Sequence, residues 1–182
     1  MRTAYLQNVW HFEDLHKPEA APEYVHRIKC EIKHMSSAGE KMVITNNAED
    51  NVDVFLADSP QVIKELDIEH RQMNCSIIAG DFLLIGCRDR RVFVFQRFTL
   101  ELSRIIEVAE SVHCMCTLHG DKQVAVGMTD GNVVVLDCSP DVSVIVEKKF
   151  KEIGGIWSIC PINNDSELAV GALSGLHIIQ IG

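Results

Sequence analysis

No stretch of this chain stays apolar long enough to cross a membrane as a helix. The longest uninterrupted apolar runs are short, such as Val133–Leu136, whereas a spanning helix needs about 20 such residues. The chain does not open on a charged n-region, an apolar h-region and a small-residue cleavage site, which argues against secretion. Its seven cysteines are odd in number and have no paired spacing. That argues against a disulfide framework and predicts free thiols in a reducing, cytoplasmic setting. Positive charge is the minority: 17 Lys and Arg stand against 26 Asp and Glu, for a net charge of −9. Nucleic acid and anionic lipid need clustered cations, so neither is expected as a general partner.

Catalytic signatures are also lacking. There is no nucleophile elbow, Walker loop, dinucleotide fingerprint or Ser-His-Asp candidate, because none of the spacings those chemistries need occurs. Gly154-Gly155 lacks the lysine and helix of a phosphate loop. The acidic pair Glu49-Asp50 falls in a hairpin turn. Eight histidines are present, but none has the His-Glu-x-x-His spacing of a zinc helix. His11 and His16 flank Glu13-Asp14 and fit a solvated helix face. Cys114-x-Cys116 has one residue between its thiols, too few to wrap a metal, which takes two to four. No catalytic residue, cofactor or metal is therefore expected.

What is present is a repeat. Gly86 opens Gly86-Cys87-Arg88-Asp89, Gly127 opens Gly127-Met128-Thr129-Asp130 and Gly171 opens Gly171-Ala172-Leu173-Ser174, each between apolar runs. With Thr45 in the corresponding place of a first, more degenerate unit, four units follow at intervals of 41 to 44 residues. A fixed period of this length marks stacked units that do not fold singly. Within each unit the apolar pattern has period 2 and is rich in β-branched residues, which predicts strands. In the third unit these are Val112–Leu118, Gln123–Met128, Val133–Asp137 and Val142–Glu147. Asp130-Gly131 between the middle two is a hairpin signal, since glycine accepts positive φ. The second unit reads as Asn74–Ile78, Phe82–Gly86, Arg91–Phe95 and Leu102–Val108. The first reads as Arg27–Met35, Lys41–Thr45, Val52–Leu56 and Val62–Ile68. The fourth reads as Ile156–Ile162, Glu167–Gly171 and Leu176–Ile181, and there the sequence stops one strand short. Cys75, Cys116 and Cys160 each lie 11 residues before their glycine, which predicts a small buried residue in each first strand.

Four strands per unit with no helix between them make a meander. The first 23 residues differ: Tyr5, Leu6, Val9 and Trp10 form a helical stripe over Thr3–His16, and Pro18 and Pro22 end it. The expected organisation is a helical segment and linker over 1–23, then blades at about 24–68, 69–108, 109–147 and 148–182. At 182 residues the chain can bury about 70% of its unfolded surface.

The pattern from Tyr24 onward resembles WD40-type β-propeller blades. In that family the second strand ends in a small-residue motif, an aspartate sits in the following turn and the third strand ends in Trp-Asp. Gly86…Asp89 and Gly127…Asp130 match the first part, and Leu136-Asp137 half-matches the last. Phe95-Gln96 and Ile181-Gly182 stand where Trp-Asp would be, and Ser174 replaces the turn aspartate. No Gly-His dipeptide precedes a first strand, which leaves Asp89 and Asp130 without the histidine that bonds the turn aspartate in the family. The resemblance implies an all-β fold of four-stranded antiparallel blades. Closed rings have typically 4–8 blades, and WD40-type rings most often have seven. Four wedge-shaped units make an open arc with apolar flanks, to be completed by further sequence, a second copy or another chain.

Three places stand out for binding. Arg88, Arg90 and Arg91 surround a turn, where arginine forks suit carboxylate or phosphate, although a charged turn is ordinarily just solvated. His113 lies at a strand start where loops face a partner. Trp157 follows Gly154-Gly155-Ile156 and is either a core residue or a rim anchor. The reading is a non-catalytic protein–protein interaction scaffold whose partners are other proteins. The alternative is a regulatory or substrate-recognition subunit of an enzyme complex, such as a ubiquitin ligase or kinase, with catalysis on another chain.

Overall fold

A computed structural model describes residues 32–38, 42–47, 52–56, 62–68 and 72–181, with side chains for 52–55, 62–68 and 72–181. The proposed N-terminal helix, its linker and the Arg27–Glu31 part of the first expected strand lie outside these residues.

Fifteen strands form four antiparallel sheets among the described residues. Blade 1 holds β1 (Ile32–Ala38), β2 (Met42–Asn47), β3 (Val52–Leu56) and β4 (Val62–Leu66). Blade 2 holds β5 (Met73–Ala79), β6 (Phe82–Cys87), β7 (Arg91–Gln96) and β8 (Leu102–Glu107). Blade 3 holds β9 (Val112–Leu118), β10 (Gln123–Met128), β11 (Asn132–Cys138) and β12 (Val142–Lys149). Blade 4 has three strands, β13 (Ile156–Ile162), β14 (Glu167–Ala172) and β15 (Gly175–Gln180). Each sheet is a simple meander, as the repeat predicts, and the last is one strand short.

The first strands stand side by side in the order β1, β5, β9, β13. Alternation along each strand sends neighbouring side chains to opposite faces of its sheet, and both faces of the middle blades are buried. In blade 2, Leu83, Ile85, Phe93 and Phe95 pack on Val52 and Val54 of blade 1. Phe82, Leu84, Val92 and Val94 turn the other way, onto Val124, Val126, Val134 and Leu136 of blade 3. Blade 3 in turn packs Ala125, Val133 and Val135 on Ile156, Leu168 and Val170 of blade 4. The stability of the arc thus resides between blades, where each fully buried aliphatic side chain contributes about 1.5–3 kcal/mol.

The anchor glycines are explained by this stacking. A Cβ on Gly86 would lie 2.4 Å from Val112 Cγ1, and one on Gly127 would lie 2.8 Å from Ile156 Cγ2. Val112 and Ile156 belong to the first strand of the next blade, so each glycine makes room for its neighbour's inner strand.

Pairing corrects two sequence alignments. Cys75 lies opposite Gly86, but Cys114 and Ser158 lie opposite Gly127 and Gly171. Cys116 and Cys160 face Ala125 and Ala169 instead. The cause is the first hairpin, which turns through residues 80–81 in blade 2 but through 119–122 and 163–166 in blades 3 and 4. Two extra residues displace an 11-residue spacing from the structural register. In blade 1, Asn46 rather than Thr45 pairs with Val52, in the way Gly86 pairs with Val92 and Gly127 with Val133. The expected apolar flanks also differ. Blade 4's flank is open, but in blade 1 Phe55, which alternates away from Val52 and Val54, is buried.

Candidate protein-interaction rim

Because every blade is a meander and the first strands run in the same direction, the connections divide between two rims. One rim carries the starts of the first strands, the second-to-third-strand turns (88–90, 129–131 and 173–174) and the blade-to-blade connections 108–111 and 150–155. The other carries turns 80–81, 119–122 and 163–166 and loops 97–101 and 139–141.

A recurring hydrogen bond fastens the first rim. The N–H of Arg88 donates to the Gln72 carbonyl at 2.9 Å, that of Thr129 to Ser111 at 3.1 Å and that of Leu173 to Gly155 at 2.9 Å. Each turn is thus held to the residue just before its own blade's first strand. A second bond runs from the far end of the blade: Val108 N–H donates to Arg90 O at 3.0 Å and Phe150 N–H to Gly131 O at 3.1 Å. Gly131 sits at φ +85°, the positive φ expected for the Asp130-Gly131 turn. Asp130, lacking the family's histidine, accepts the Asn132 N–H at 3.1 Å and the Lys149 ammonium at 2.6 Å. The fourth strand of its own blade therefore supplies the counter-charge.

All five sequence-chosen residues fall on this rim. Arg88 and Arg90 are exposed and Arg91 half-buried. Arg88 Nη1 donates to Gln72 Oε1 at 3.0 Å, and Arg91 Nε lies 3.7 Å from Asp89 Oδ2. These contacts orient two guanidinium groups and leave them reachable. Trp157 is 55% exposed, so it is a surface residue of the rim and not part of the core. Its ring meets that of His113 edge-to-face, with centroids 4.5 Å apart at 88°. The contact spans blades 3 and 4 and orients the indole, which stays more than half exposed. Sequence reasoning missed Leu173, which is 76% exposed in the last turn, in the position before the family's turn aspartate. It also missed an open cavity of about 370 Å³ lined by Lys149, Phe150, Lys151, Glu152 and Ile153 in the connection to blade 4.

The opposite rim is acidic. Asp81, Asp121, Asp141 and Asp165 each lie in one of its turns or loops. Asp165 Oδ2 accepts the backbone N–H of His119 at 2.7 Å and so clasps blade 4 to blade 3.

The first-strand thiols of blades 2 and 3 are chemically quiet. Burial pushes Cys114 and Cys116 up to about 12. Cys75 is raised further, by burial first and then by its neighbour Cys114. A thiol so raised holds almost no thiolate at neutral pH, and thiolate is the reactive and metal-binding form. Among the described residues no three His, Cys, Asp or Glu side chains gather as metal ligands.

No protein-family model and no curated protein matches the chain. Solved structures do. The computationally designed Ika4 protein superposes with a TM-score of 0.69 at 15% identity, over 85% of this chain and 93% of that one. The WD40 β-propeller domain of Doa1 superposes with a TM-score of 0.70 at 15% identity, over 87% of this chain and 55% of that one. The designed Ika8 protein gives 0.70 at 14% identity, over 87% and 48%. The chain therefore spans about half the length of the Doa1 and Ika8 chains. Over its described residues it is an all-β, WD40-like β-propeller arc of four blades that do not close into a ring, and at these identities the likeness concerns the fold alone.

Proposed function

We propose that this chain is a non-catalytic protein-interaction scaffold that docks an acidic or phosphorylated segment of another protein on the first-strand rim. The observation that carries this reading is that an exposed tryptophan on blade 4 and accessible arginines on blade 2 lie on the same rim, while the other rim bears repeated aspartates. Trp and Arg are the side chains most often responsible for interface energy, and arginine forks bind carboxylate or phosphate bidentately. An acidic segment is drawn to the blade 2 turn, where Arg88, Arg90 and Arg91 outnumber the single carboxylate of Asp89.

The test is affinity purification from a cytoplasmic extract with wild type and with R88E/R90E/R91E, alongside W157A. These residues are exposed or half-buried, so the fold survives and circular dichroism stays unchanged. Partners retained by wild type and lost by both variants support the proposal. Partners retained unchanged by both variants refute it.

A further inference from the structure

The third strand of each blade sends one row of side chains toward the following blade and the other toward the preceding one. Pairing with the second strand puts Phe55 of β3 in the position of Phe95 in blade 2, Leu136 in blade 3 and Ile179 in blade 4. Phe95 packs on blade 1, Leu136 on blade 2 and Ile179 on blade 3. Blade 1 has no preceding blade among the described residues. Phe55 is nevertheless only 2% exposed, and Asp53 on the same face 9%.

Neighbours within a sheet shield a side chain from the sides, not from above. An uncovered third strand therefore stays open, as Leu176 at 75% and Ile178 at 54% exposure illustrate. Some part of the chain lies over Phe55 and Asp53. The packing of blade 1 on the rest of the arc runs through β1 to β5 and through Val52 and Val54 to blade 2, on the opposite face. The connections 39–41, 48–51, 57–61 and 69–71 are short, join strand ends and hold no apolar side chain larger than alanine or proline. Residues 1–31 are the one long stretch outside the described residues, and they carry the stripe Tyr5, Leu6, Val9 and Trp10. On the expected helix these four share one side, with Gln7, Asn8 and His11 on the other. Repeat arrays end in units of this kind, apolar toward the repeats and polar outward.

We propose that residues 3–16 cap the far face of blade 1, laying Tyr5, Leu6, Val9 and Trp10 over Phe55 where the other blades have a preceding blade. The reach is sufficient. β3 lies two strand spacings, about 10 Å, from β1, and residues 17–31 span up to about 50 Å when extended.

The experiment is photo-crosslinking of the dilute full chain carrying Trp10→p-benzoylphenylalanine, with the products mapped by mass spectrometry. Crosslinks within one chain to residues 42–66 are expected. No crosslink, crosslinks to blades 2–4 alone, or crosslinks only between chains overturn the proposal. Fluorescence is the second readout. The chain has two tryptophans, so W157F leaves Trp10 as the sole one. Its emission is expected at shorter wavelength than in the urea-unfolded chain and shielded from acrylamide. F55A should move it toward the unfolded value, whereas I105A, on the half-exposed face of β8, should not. Emission already at the unfolded value in W157F, or unmoved by F55A, overturns the proposal as well. Crosslinking leaves blade 1 unaltered, so it decides the matter where circular dichroism shows F55A to be unfolded.

Discussion

Adding one methyl group at each anchor glycine separates stacking from simple strand propensity. At Gly127 the new Cβ would lie 2.8 Å from both Cys114 Sγ and Ile156 Cγ2, and at Gly86 2.4 Å from Val112 Cγ1 and 2.9 Å from Cys75 Sγ. Val112 and Ile156 are fully buried between blades, so neither yields without shifting a whole inner strand. Overpacking of this kind costs about 1–3 kcal/mol. Replacing glycine in an extended strand returns about 0.4–1 kcal/mol by restricting the unfolded chain. G86A and G127A should therefore lose a net of about 1–2 kcal/mol, with G86A the worse. At Gly171 the closest atom is the Ser158 hydroxyl oxygen at 2.5 Å, and the next lies at 3.8 Å. A hydroxyl rotates away at little cost, so G171A should be neutral or gain about 0.5 kcal/mol. The assay is urea unfolding with a common m-value, which reports stability apart from compactness. Equal losses in all three variants would refute the argument that these glycines admit the next blade.

Other expectations follow from the cores, the clasp and the thiols. L84A, which empties a fully buried site between blades 2 and 3, should cost about 2–5 kcal/mol in the same urea assay. I105A, on the half-exposed face of β8, should cost well under half as much. D165A removes the acceptor for the His119 N–H and should cost about 1 kcal/mol, read as faster hydrogen exchange in turn 119–122. Thiol labelling at mildly alkaline pH should modify exposed Cys160 ahead of Cys75, Cys114 and Cys116, whose burial raises them. The same burial makes stability pH-dependent. Unfolded thiols release protons near 9.0, whereas native Cys114 and Cys116 hold theirs to about 12. Their contribution is complete below pH 9 and is lost as pH rises toward 12. The loss is at most about 1.4 kcal/mol per pH unit for each thiol, and C114A should flatten the alkaline limb.

Much of the fold was legible because a repeat states the same local rule several times. Gly-x-x-Asp turns, period-2 runs and the Asp130-Gly131 hairpin place nearly every strand within one or two residues. Register was not. An equal count of 11 residues before each glycine hid a two-residue difference in the first hairpin turn, because turn length and strand pairing trade against each other without altering composition. The site was half legible. Arg88, Arg90, Arg91, His113 and Trp157 were visible singly, but only the common direction of the first strands puts them on one rim. The exposure of Trp157 and Leu173 depends on what packs beside blade 4, which no local pattern encodes.

The proposed use of the first-strand rim is tested most directly by hydrogen exchange on the chain with and without a co-purified partner. The account predicts protection at residues 88–91, 111–113 and 155–157, with turns 80–81, 119–122 and 163–166 unchanged. Protection confined to the aspartate-bearing rim would contradict it.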